Sequence, residues 1–90
     1  MRISRRYVIS GRVQGVGFRY FTQAVAAEED ISGWVCNTSD GRVEVDAEGE
    51  ADAMARFEQR ISQGPPGARV EGVTTTDAAS GMRGTGFHIR

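Results

Sequence analysis

The chain has 90 residues, a formal net charge of -1 at pH 7, 39% hydrophobic residues and a single cysteine, Cys36. A chain this short makes one domain, residues 1–90, with one core. It buries about 60–65% of its unfolded surface, enough for two layers of structure without staples, and leaves no room for a separate substrate domain. One cysteine excludes an internal disulfide; the lack of an apolar run near 18 residues or of a leader pattern argues against a membrane and points to a soluble, cytoplasmic chain. All 11 basic residues are arginine and they are scattered, so no basic stripe suggests a nucleic-acid partner.

Residues 6–12 read as a first strand. The stretch SGRVQGVGFRYF, residues 10–21, then hands that strand over to a helix through Gly15 and Gly17. Glycines at such a junction let the backbone turn tightly and bring several N–H groups to one point, without a Cβ in the way. A helix starting near Arg19 adds unpaired donors and the positive end of its dipole, and Arg19 adds a planar fork of donors matched to phosphate oxygens. The backbone of Gln14, Gly15, Val16, Gly17, Phe18 and Arg19 is therefore the candidate anion cradle. It is not a Walker A loop, because the chain contains no lysine, nor a dinucleotide fingerprint, because Tyr20 stands where a third glycine belongs.

Phe18, Phe21 and Val25 recur at helical spacing over residues 18–29, a first helix with one buried face. Residues 33–37 and 42–48 are short β-prone runs joined by Thr38-Ser39-Asp40-Gly41, and Asp-Gly is a strong hairpin signal. Met54, Phe57 and Ile61 mark a second helix that Gly64-Pro65-Pro66-Gly67 stops. A fourth strand follows at 69–76, and residues 86–90 add a short fifth after a Gly/Ala/Ser-rich loop. The order β-α-β-β-α-β is that of the α+β, ferredoxin-like split βαβ sandwich: two helices on one face of a four- to five-stranded, mostly antiparallel sheet. A right-handed crossover makes strands one and two parallel with strand three between them, so the cradle and Asn37 share one edge.

With that placement, the chain resembles the acylphosphatases, small hydrolases of carboxyl-phosphate mixed anhydrides. The resemblance is carried by SGRVQGVGFRYF, by GWVCNTSDGRVEVDAEG (residues 33–49) and by GPPGARVEGV (residues 64–73), which together span nearly the whole chain. It implies that Arg19 binds the phosphate of a small acyl phosphate, that Asn37 holds the attacking water, and that inorganic phosphate is a product. The chemistry suits a sparse site. The leaving group is a carboxylate, already stable near neutral pH, so no metal or cofactor is needed to expel it. Amides and a guanidinium stabilise the charge on the equatorial oxygens of a loose phosphoryl transition state. A carboxamide cannot take a proton but can fix a water in line.

Other residues are expected to serve structure. His88 alternates with Phe87 and Ile89 and should point outward. Cys36 should lie on the strand face opposite Asn37 as a small buried hydrophobe. Glu44, Asp46 and Glu48 should form a solvated sheet face rather than a metal site. Those acidic side chains also make a poor RNA-stacking platform. A noncatalytic anion-sensing module that keeps the cradle and Arg19 is the alternative on the same fold. The chain is expected to act as a monomer.

Overall fold

Alternation along the strands decides which face of the sheet is covered. In the computed structural model, which describes residues 1–79 and 84–90, the elements are β1 (Arg2–Arg12), α1 (Phe18–Glu28), β2 (Ser32–Asn37), β3 (Val43–Glu50), α2 (Ala51–Gln63), β4 (Arg69–Asp77) and β5 (Phe87–Ile89). Tyr7 and Ile9 of β1, Val35 of β2 and Val43, Val45 and Ala47 of β3 are fully buried on one face. Both helices lie there. α1 contributes Phe18, Thr22, Val25 and Ala26, and α2 contributes Ala53, Met54, Phe57 and Ile61. Phe57 packs against Tyr7 and Phe87, with ring centroids 6.2 and 6.1 Å away.

The strand order is β4-β1-β3-β2-β5. The β1–β3, β1–β4 and β2–β3 pairs are antiparallel and β2–β5 is parallel, so the sheet is mixed and mostly antiparallel, as the split βαβ order requires. β1 and β2 run the same way on either side of β3. The end of β1, where the glycine loop begins, and Asn37 at the end of β2 thus reach one edge.

Several details depart from the sequence reading. β1 starts at Arg2 and β3 runs on to Glu50, because the two pair in register from Arg2↔Glu50 to Ile9↔Val43. Thr22 rather than Phe21 takes the inner position on α1; its hydroxyl donates to the Phe18 carbonyl at 2.9 Å, so burial leaves it satisfied. The open face is not a simple solvated surface either. Asp46 and Glu48 keep only 8% and 11% side-chain exposure because Arg6 (2.8 Å) and Arg2 (3.5 Å) lie over them. Trp34 sits in the same layer, with the guanidinium groups of Arg6 and Arg90 over its ring, 5.4 and 4.4 Å from the centroid. His88 faces this open side, exposed, as alternation predicts. Cys36 is on the face opposite Asn37 but only half-buried, not a core residue. Burial and then Glu44 push its thiol up, which makes it a poor nucleophile.

Candidate active site

Two buried side chains fix the ends of the glycine loop. Val13 and Phe18 are 1% and 2% exposed, and the backbone between them must cross from strand to helix in four residues. It does so through left-handed conformations, φ +76° at Gly15 and +78° at Gly17. Gly17 is the N-cap of α1, and having no side chain it offers no cap hydrogen bond. Phe21 N–H donates to the Gly17 carbonyl at 3.0 Å, the first bond of the helix. Among the described residues, the N–H groups of 15–19 donate to no protein acceptor. Unpaired amides in a tight turn at a helix N-terminus form an electropositive concavity suited to an oxyanion.

Arg19, the second residue of α1, lines a cavity of about 120 Å³ with Gly15, Gly17, Phe18, Tyr20 and Asn37. The two side chains singled out from sequence, far apart in the chain, therefore meet at one concavity of anion size. The Arg19 Nη1 donates to the carbonyl oxygen of Arg90 at 3.3 Å, which ties the guanidinium to the end of β5; among the described residues its other donors have no protein acceptor. The ring of Phe18 and the side chain of Val16 pack with the core, so only their main-chain amides remain as candidate ligands. A larger concavity of about 370 Å³ lies on the open face against Trp34, lined by the Arg6–Asp46 pair, His88 and Arg90.

Asn37 closes β2 in register with Val43, immediately before the 38–42 turn. That turn is densely bonded: Thr38 N–H donates to the Arg42 carbonyl at 2.8 Å, Arg42 N–H to the Thr38 hydroxyl at 3.0 Å, and Arg42 Nε to Asp40 at 3.0 Å. Arg42 and then Thr38 hold the Asp40 carboxyl below the usual carboxylate range by donating to it.

The side chain of Gln14 is the residue that sequence reading missed. Its Nε2 donates to the carbonyl oxygens of Thr38 at 2.7 Å and of Arg42 at 3.0 Å, so a single amide fastens the anion loop to the turn that carries Asn37. No local pattern announces a bond across 24 residues. Among the described residues, no three His, Cys, Asp or Glu side chains converge to hold a metal.

Comparison with known proteins identifies the family. The acylphosphatase family model matches residues 5–89. The acylphosphatase of Salinibacter ruber is 47% identical over 91 residues, covering 99% of this chain and 92% of that protein. The acylphosphatase of Bacillus subtilis is 44% identical over 75 residues, covering 83% of this chain and 82% of that one. The crystal structure of acylphosphatase from Bacillus subtilis superposes with a TM-score of 0.93 at 40% sequence identity, over 100% of this chain and 99% of that chain.

Proposed function

The chain belongs to the acylphosphatase family and hydrolyses acyl phosphates, and from this premise we propose that Arg19 and the amides of 14–19 grip the substrate phosphate while Asn37 aims the attacking water. The observation that carries this reading is the meeting of Arg19, Asn37 and the loop glycines at one cavity of about 120 Å³. The amides and the guanidinium fork neutralise charge on the equatorial phosphate oxygens as the bond to the acyl oxygen loosens. The Asn37 carboxamide accepts a hydrogen bond from a water and orients it toward phosphorus, opposite the departing carboxylate. Water oxygen bonds phosphorus, the acyl oxygen leaves with its electron pair, and the water's proton passes to a phosphate oxygen, since among the described residues no carboxylate or imidazole lines the cavity. The leaving group's own stability makes this sufficient without a metal or a strong general acid.

The noncatalytic anion-sensing alternative is not favoured, since the relatives are enzymes by name. Residues 1–90 act as one catalytic unit in this reading, monomeric and cytoplasmic. Support for the monomer is that Met1 and Tyr20 are the exposed large hydrophobics among the described residues. No helix among the described residues is long and apolar enough to cross a membrane.

Steady-state hydrolysis of acetyl phosphate, with inorganic phosphate as competitive inhibitor, tests the roles. Asn37→Ala should lower kcat while leaving the inhibition constant for phosphate unchanged, whereas Arg19→Ala should weaken both. A loss of phosphate affinity in Asn37→Ala equal to its loss of turnover would reassign Asn37 to holding the anion.

A further inference from the structure

Tyr20 belongs to two concavities. It lines the phosphate cavity beside Arg19 and Asn37, and it also heads a groove of about 420 Å³ between α1 and the start of β5. Gln23, Ala24 and Ala27 follow Tyr20 at i+3, i+4 and i+7, so the groove runs along one side of the helix for about 10 Å at 1.5 Å per residue. Ile31 and Phe87, 3% and 9% exposed, supply apolar wall. The Gln23 amide in it is tied to the wall, since its Nε2 donates to the Phe87 carbonyl at 3.1 Å. Exposed alanines stand at 24 and 27, where longer side chains would fill the space. Tyr20, 69% exposed, stands at the junction of the two concavities. Asp30 is the charged residue of the lining, at the end remote from the phosphate.

We propose that this groove receives the acyl group of the substrate, and that the enzyme prefers acyl phosphates with an extended apolar acyl chain over acetyl phosphate. The inference rests on the phosphate being held by Arg19 and its loop. With phosphorus anchored there, the acyl carbon emerges beside Tyr20 and the chain lies over Ala24 and Ala27. Asp30 repels acyl groups that end in a second carboxylate. Tyr20 acts as the shared wall that directs the chain into the groove.

An aliphatic series tests this cleanly, because acetate, butyrate and hexanoate are leaving groups of nearly equal basicity and differ only in the methylenes offered to the groove. For the native chain, kcat/KM should rise roughly threefold per added methylene until the groove is filled, as expected for burial of a CH₂ that is partly covered. Ala24→Gln and Ala27→Gln place neutral bulk in the groove at exposed helical positions that tolerate glutamine. Both should flatten the series while leaving acetyl phosphate kinetics and inhibition by inorganic phosphate unchanged. A flat series in the native chain, or a rising series undiminished in both variants, overturns the inference with the phosphate site intact. No turnover of acetyl phosphate by the native chain, or unaltered phosphate inhibition in Arg19→Ala, overturns the underlying site reading and this inference with it.

Discussion

Removing the Gln14 amide isolates the coupling between the anion loop and Asn37. Gln14→Ala deletes donations of 2.7 and 3.0 Å to the Thr38 and Arg42 carbonyls. Neither oxygen is orphaned, since Thr38 O still accepts from Gly41 N–H at 3.2 Å and Arg42 O from Thr38 N–H at 2.8 Å. The stability cost therefore falls at the low end for hydrogen bonds, about 1 kcal/mol for the pair. A domain of this size loses about 4–8 °C in Tm for that amount. Catalysis should suffer more, because loop and turn then drift independently and a misplacement near 1 Å costs on the order of 10²-fold. The expected result is a modest Tm shift by thermal unfolding beside a 10- to 10²-fold drop in kcat, roughly, with inhibition by inorganic phosphate nearly retained. Gln14→Glu should be worse on both counts, since a carboxylate cannot donate to either carbonyl and brings negative charge toward the anion. The reasoning is refuted if Gln14→Ala shows the Tm shift with full turnover, or if Gln14→Glu behaves as the native enzyme.

Further perturbations separate strain, shape and charge. A Cβ at Gly33 would stand 1.8 Å from the Asp46 carbonyl oxygen, whereas one at Gly17 meets nothing within 4 Å. Gly33→Ala should thus fail to yield folded protein, while Gly17→Ala should fold with a loss of about 1–2 kcal/mol from its left-handed backbone, read by thermal unfolding. Arg19→Lys should lose turnover about 10²- to 10³-fold, nearly as much as Arg19→Ala, because a point charge replaces a planar fork; retained activity contradicts bidentate binding. Arg42 and Thr38 depress the Asp40 carboxyl, and Arg56 depresses that of Glu29. Folded values below the unfolded ones give stability that is full above about pH 4 and lost as pH falls through the folded values. Tm should accordingly be level near neutrality and decline below about pH 4, less steeply in Asp40→Asn; an identical decline in that variant removes the turn from the account.

Much of the fold was legible because its punctuation is local. Asp40-Gly41 marks the hairpin, Gly64-Pro65 ends α2, and Met54, Phe57 and Ile61 are buried where helical spacing puts them. The meeting of Arg19 with Asn37 followed from strand order and crossover hand. What escaped depends on partners distant in sequence. Residues 2–5 lack a clean apolar alternation and are strand because 47–50 pair with them. Spacing favours Phe21 over Thr22 as a core residue, yet a hydroxyl that satisfies itself within its own helix can be buried. The alternation of Glu44, Asp46 and Glu48 correctly aims them away from the helices but cannot tell that Arg2 and Arg6 will cover two of them. Gln14 reads as one more loop residue until the turn at 38–42 lies against it.

Titration of the ¹⁵N-labelled chain with inorganic phosphate tests most directly whether the β1–α1 loop is the anion site. The amide resonances of residues 15–19 and the Arg19 guanidinium should shift together and saturate with one affinity, and Asn37→Ala should leave that affinity unchanged. Shifts confined to the open face around Trp34, His88 and Arg90, with the loop amides unmoved, would contradict it.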